Sequence, residues 1–244
     1  MKKILKNALI ITLLLMLGLS TAALAYLHFF TQEVMDVSGE WAGELDMTEQ
    51  AAVTALAWLQ DIEAVPVSLE DMGAYMQNLT VQVRLNMKQT AQGEGTFQCS
   101  VLPESYEICS EAAYEAFAGA FHMFLAERLR MAGYEGSTDR EALEVLVTES
   151  FGMSTVSYLR SCVPDLLPAL EELQAQYDGN GTYGVQEDIL SRQFDNDTPV
   201  AARTERCIRS GVTLILSEEV NPAVSASFYE YYPIVYTLKQ PQNQ

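Results

Sequence analysis

Between residues 79 and 88 apolar and polar side chains alternate without a break: Leu79, Val81, Val83, Leu85 and Met87 against Thr80, Gln82, Arg84, Asn86 and Lys88. A period of two fits a strand with one buried and one wet face, and it does not fit a helix. Gly93-Glu94-Gly95 then supplies a turn, and Phe97, Cys99 and Val101 alternate with polar residues beyond it. The two segments read as an antiparallel hairpin. An earlier strand opens at Gly39, where Trp41, Gly43 and Leu45 alternate with Glu40, Ala42 and Glu44.

Helical text lies between and after these strands. Asp46 or Thr48 can cap a helix running to about Glu63, with Glu49 completing a capping-box pattern and Ala52, Ala55, Leu56, Leu59 and Ile62 on one face. From residue 105 to 177 the period is again helical, with breaks at 133–137 and 164–168, which predicts three or four inserted helices. Strand text returns over 182–190, 203–209, 212–217 and 228–239, and Pro233 suggests that the last strand is bulged or at an edge. Mostly sequential strands, about seven in all, predict an α+β chain built on an antiparallel β-meander or barrel. The expected organisation is 1–31 anchor or uncleaved signal, 32–38 linker, 39–240 barrel domain with a helical insertion at about 104–177, and 241–244 tail.

Ala8 to Phe30 carries no Asp, Glu, Lys or Arg, and is long enough as a helix to cross a hydrocarbon core of roughly 30 Å. Lys2, Lys3 and Lys6 precede it, whereas the next basic residue is Arg84, so the positive-inside rule predicts a single-pass membrane protein with a cytoplasmic N-terminus and an extracytoplasmic C-terminal domain. The alternative is a signal peptide cleaved near Ala25, giving a secreted chain, because Ala23-Leu24-Ala25 matches the small-residue cleavage pattern.

The formal net charge of −19 argues against a nucleic-acid partner, since phosphate binding needs clustered Lys and Arg. No catalytic fingerprint is present: there is no His-Glu-x-x-His, no Gly-x-Ser-x-Gly and no phosphate-binding glycine loop. Of the two histidines, His28 lies in the apolar run and His122 in Phe121-His122-Met123, where a packed or partly exposed imidazole is expected rather than a general base. Asp178-Gly179-Asn180 and Asp195-Asn196-Asp197 read as turns rather than cation loops, and no metal or cofactor is expected. Cys109 and Cys162, both in helical text, are the pair to try first as a disulfide; buried free thiols remain the alternative for all four cysteines, Cys99 and Cys207 included. Tyr229, Tyr231, Tyr232 and Tyr236 crowd the last strand, where they can line a ligand cavity or pack across strands.

Gly39-Glu40-Trp41 opening the first strand, and Asp178-Gly179-Asn180-Gly181-Thr182-Tyr183 followed by short strands and an aromatic last strand, resemble exported bacterial lipocalin-like domains. The resemblance covers about half of the part beyond the leader. It implies a barrel whose Trp41 plugs one end; for the family's late arginine over that ring the chain offers only Lys239 as a stand-in, the alternative being a solvated terminal lysine. The helical insertion and the missing Thr-Asp-Tyr triplet depart from the family pattern. A closed barrel would turn Trp41, Leu45, Val81, Val83, Phe97, Ile234 and Tyr236 inward. The function expected is a non-catalytic binding module for an apolar or amphipathic small molecule, with Trp41, Tyr229, Tyr232 and Tyr236 as candidate ligand-binding residues. The alternative is a structural or protein-interaction module of the envelope with no ligand cavity; an enzyme of unknown class is the remaining reading.

Overall fold

The computed structural model describes residues 16–21, 35–62, 67–195, 202–218 and 231–239. The chain divides into two compact units, Met1–Met35 and Asp36–Gln244. In the first, residues 16–21 are helical. Among the described residues no helix is long and apolar enough to cross a membrane, which corrects the expected placement as a single-pass membrane protein. The rest of the Ala8 to Phe30 run, with the Ala25 cleavage position and His28, lies outside the described residues.

The described residues of the second unit form eight strands: β1 (Gly39–Asp46), β2 (Thr80–Ala91), β3 (Glu94–Val101), β4 (Gly179–Gln186), β5 (Ile189–Phe194), β6 (Ala202–Ser210), β7 (Thr213–Glu218) and β8 (Ile234–Leu238). Each pairs antiparallel with its sequence neighbour, and β8 pairs back onto β1, so the sheet closes into a barrel in simple meander order. The alternation read from the sequence is the inward–outward alternation of this barrel. Trp41, Leu45, Val81, Val83, Phe97, Ile234 and Tyr236 are all buried. The class is α+β, and the described residues of this second unit form six helices: α1 (Thr48–Ile62), α2 (Leu69–Gly73), α3 (Pro103–Met131), α4 (Arg140–Phe151), α5 (Thr155–Cys162) and α6 (Leu170–Tyr177).

Two strand readings are corrected. The single strand expected over 182–190 is split between β4 and β5 by a tight turn at Glu187 and Asp188, with Glu187 at φ 56°. A glutamate in the left-handed region gives no glycine or asparagine signal, so the turn is silent in the sequence. Pro233 precedes β8, and that strand is paired on both sides, so its missing N–H removes no ladder bond.

The connections divide by length between the two ends of the barrel. At one end lie the tight hairpins β2–β3, β4–β5 and β6–β7. The opposite end carries α1 and α2 between β1 and β2, and α3 to α6 between β3 and β4. Tertiary contacts fix those helices to the rim. The Leu102 N–H donates to Gln82 O at 2.9 Å, the Gln82 N–H to Ser105 Oγ at 2.7 Å, and the Val101 N–H to Asp178 Oδ1 at 2.6 Å. Trp58 of α1 meets Phe117 of α3 edge to face at 5.8 Å, which docks the two longest helices.

At the seam, Gly43 stands opposite Tyr236 and has no room for a side chain: a Cβ there would lie 2.6 Å from the tyrosine ring. Gly184 on β4 faces open space. We therefore expect Gly43→Ala to lower stability by about 1–3 kcal/mol through overpacking, whereas Gly184→Ala changes it by less than about 1 kcal/mol. Urea unfolding of both variants checks the contrast, and equal effects would mean that the Tyr236 ring does not close the seam.

Candidate functional site

The inner face of β5 is Leu190, Arg192 and Phe194, and that of β6 is Arg203, Glu205 and Cys207; all six are buried. Register places Arg192 directly opposite Arg203. Two like charges facing one another inside a barrel are unfavourable unless a counter-charge is shared. Glu205, two residues along the same face from Arg203, supplies it diagonally: Arg192 Nε donates to Glu205 Oε2 at 2.7 Å and Arg192 Nη2 donates to Glu205 Oε1. The Tyr232 hydroxyl donates to that same Oε1. Burial disfavours the Arg192 charge, but Glu205 beside it more than offsets this and the guanidinium stays protonated. Burial also drives the Tyr232 and Tyr236 hydroxyls well above the usual tyrosine range.

Aromatic faces complete the surroundings of both arginines. Arg192 lies over Phe97 at 5.4 Å and Phe194 at 5.8 Å, and Arg203 over Phe194 at 5.1 Å and Tyr177 at 5.4 Å. Tyr177 is the last residue of α6 and is itself buried, so the helical insertion ends in a plug for this end of the barrel. The other end is closed around Trp41. Its Nε1–H donates to Val37 O at 2.9 Å, and the Arg209 guanidinium lies over the ring at 5.4 Å. Arg209 in turn donates to Asp36 O and sits 3.7 Å from the Asp36 carboxylate, whose pKa is lowered by the Ser38 hydrogen bonds and by Arg209. Lys239, the position matched to the family's late arginine, pairs instead with Glu40 at 3.6 Å. Arg209 of β6 occupies the place over Trp41.

The four expected ligand-binding residues are thus dispersed. Trp41 closes one end, Tyr236 fills the seam, Tyr232 reaches into the interior from the opposite end, and Tyr229 lies outside the described residues. Tyr231 and Tyr232 line an open cleft of about 730 Å³ with Asp46, Gln50 and Val53 of the β1–α1 region, and the Tyr231 hydroxyl donates to Gln50 Oε1. All four cysteines are thiols: Cys109 is buried on α3 and Cys162 exposed at the end of α5, and no bridge joins them. Burial raises Cys109 and Cys207 to about 11, so neither carries a reactive thiolate near neutral pH.

Sequence reasoning missed the interior charges. Arg192 between Leu190 and Phe194 was the available signal, since an arginine in phase with two large apolar residues faces the same way as they do. A second polar group gathers in the insertion, where His122 Nε2 lies 2.7 Å from Thr155 Oγ1 and Thr155 Oγ1 donates to Glu144 Oε2 at 2.7 Å. Thr155 is fully buried and offers no attacking hydroxyl to a substrate, so the trio ties α3, α4 and α5 together rather than forming a nucleophilic site. No protein-family model matches the chain, and neither a curated protein nor a solved structure matches it at a significant level.

Truncating one partner of a buried ion pair leaves the other charge uncompensated. Glu205→Gln is therefore expected to cost about 3–5 kcal/mol, and Tyr232→Phe, which removes one hydrogen bond to the carboxylate, about 1.5–3 kcal/mol. Denaturant unfolding near pH 7 measures both. A Glu205→Gln chain as stable as the wild type would show that Arg192 does not depend on this carboxylate.

Proposed function

We propose that the chain is a non-catalytic protein-interaction module: a lipocalin-like barrel serves as scaffold and its helical insertion carries recognition. The eight-stranded meander barrel is the architecture of that class. The observation that carries the reading is where apolar surface lies. The barrel interior is occupied by Trp41, Tyr236, Phe97, Phe194, Tyr177 and the Arg192–Glu205 pair, whereas the insertion carries more of the exposed large apolar side chains than the barrel strands do, among them Ile108, Met131, Tyr134, Val145, Phe151 and Met153. Exposed apolar side chains ringed by polar groups are the usual mark of a partner surface.

The outer face of α4 gives that surface a chemistry. A groove of about 570 Å³ is lined by Val145, 56% exposed, with Glu141, Glu144 and Glu149 around it and Arg140 at one end. On a chain of net charge −19 this face suits a basic amphipathic segment of another protein, which lays its apolar side on Val145 and its cations on the glutamates. The probe is a Lys/Leu amphipathic helical peptide, with a scrambled peptide of equal composition as control. At physiological salt we expect saturable binding of the amphipathic peptide alone, weakened at least about tenfold by Val145→Asp, a change of about 1.4 kcal/mol, and unaffected by Ile208→Asp on the barrel wall. Equal binding of the scrambled peptide, or undiminished binding by Val145→Asp, would overturn the proposal.

The cleft beside Tyr231 and Tyr232 supports a second reading, a small-molecule site at the barrel rim. Thermal shift of the full chain with fatty acids, isoprenoids and glycan fragments tests it, because a ligand of the native state raises stability by mass action. A shift abolished by Tyr232→Phe favours the cleft, and no shift with any class removes this reading.

A further inference from the structure

His122 stands apart from both the barrel interior and the rim cleft, at the meeting point of three helices. It projects from α3 and is 5% exposed. Thr155, the first residue of α5, and Glu144 on α4 complete the junction: Glu144 Oε1 accepts the Thr155 N–H at 3.0 Å, and Glu144 Oε2 accepts the Thr155 hydroxyl at 2.7 Å. Because Thr155 has spent its one hydroxyl proton on Glu144, the 2.7 Å contact to His122 requires the imidazole to donate from Nε2. The proton of the neutral ring is therefore on Nε2. Nδ1 is left as a bare acceptor, sealed from solvent and without a hydrogen-bond partner among the described residues.

That arrangement suits one protonation state only. In the neutral ring, Nδ1 is an unfilled acceptor, a modest cost. A second proton turns it into a buried cationic N–H with no acceptor, which is far more costly. The groups facing the ring pull in opposite directions. From α4, Glu144 Oε2 lies 3.3 Å from Nε2 and favours the cation, while Arg140 disfavours it. From α5 the partner is Thr155, which carries no charge, and His122 itself lines a cavity of about 430 Å³ together with Glu115 of α3, Tyr75 and Arg140. Glu144 is partly exposed, so its attraction is screened by solvent.

We propose that the His122–Thr155–Glu144 junction is an acid-sensitive latch: neutral His122 holds α4 and α5 against α3, and protonation loosens them while the barrel stays folded. The proposal rests on the junction's own geometry, and Glu144 is the one residue it shares with the α4 groove. Burial is the largest influence on the imidazole and holds its pKa below the ordinary 6.5, against the pull of Glu144. An unfolded histidine takes up its proton near pH 6.5 and the buried one only at lower pH. The junction's full contribution is therefore present above pH 6.5 and is lost as pH falls from there toward the folded-state value.

Hydrogen exchange of the full chain, corrected for intrinsic rates, reads the latch. Between pH 7.5 and 5.5 the amides of residues 140–162 should lose protection relative to the β2 and β3 strands, by at most about tenfold for each unit by which burial holds the imidazole down. His122→Gln keeps an N–H donor near the position of Nε2 and cannot titrate, so it should show no such loss. An equal loss in His122→Gln, or none in the wild type at a pH where the ring is charged, would overturn the proposal. A second measurement does not depend on that variant folding: His28→Gln leaves a single imidazole, and its NMR titration must report a midpoint below 6.5. A midpoint at or above that value would also overturn the latch.

Discussion

Closing eight antiparallel strands on themselves fixes an interior just wide enough to be filled by side chains, and the rest of the molecule is organised by what fills it. The closing contact is short. β1 and β8 share only the register pairs Trp41 to Leu238, Ala42 to Thr237 and Gly43 to Tyr236, and the largest inward side chains sit at this seam. Gly43 yields its side-chain space to the Tyr236 ring, and Trp41 turns inward beside it to meet Arg209 and Val37. One glycine, one tyrosine and one tryptophan thus decide both that the sheet closes and that one end is stoppered.

The middle and far end are filled less predictably, by charge. Apolar side chains of similar volume would fill the same space at equal or lower free energy, because desolvating an ion pair consumes most of its Coulombic gain. What the Arg192–Glu205 pair supplies is direction. A bidentate carboxylate admits few orientations of the guanidinium, and the two arginines hold the Phe97, Phe194 and Tyr177 rings against their faces. Tyr177 arrives from α6 and Tyr232 from the segment before β8, so two connections of the same end are registered on one carboxylate and its neighbouring arginine.

The sequence declared the parts that follow a single period. The 79–88 alternation became β2, Phe97 to Val101 fell in β3, and the Trp41 strand became β1, because in each the buried face is apolar and the wet face polar. It was ambiguous where polarity and direction part company. On β6, Arg203 and Glu205 point inward, so the usual inference from charge to solvent fails. The Glu187–Asp188 turn has neither glycine nor asparagine, so its strand pair reads as one. The pairing of Arg209 rather than Lys239 with Trp41 depends on register between strands far apart in sequence, which no local pattern contains. The sequence leaves open whether His122 is packed or partly exposed, and the structure buries it; its partners Thr155 and Glu144 lie on two other helices and cannot be named from its neighbours in the chain.

A closed barrel has no free strand edge, so a long insertion cannot join its sheet and must satisfy its own backbone as helices. This insertion is tied down where it leaves and returns. Leu102 and Ser105 bond β2 at its start, and Asp178 bonds the end of β3 at its close, with the Tyr106 hydroxyl donating to Pro168 O at 3.0 Å to join its two ends. α4 and α5 lie between these anchors and lean on α3 through the His122 junction and the Arg160–Glu111 pair, whose members are about half exposed. An exposed pair of that kind contributes roughly 0–1 kcal/mol, so the buried junction is the stronger of these two polar ties. The barrel's plug from the insertion is Tyr177, at the far end of α6. The plug and the His122 junction are thereby separated along the chain, and the proposed latch acts in the middle of the insertion while the plug stays on Arg203 at its end.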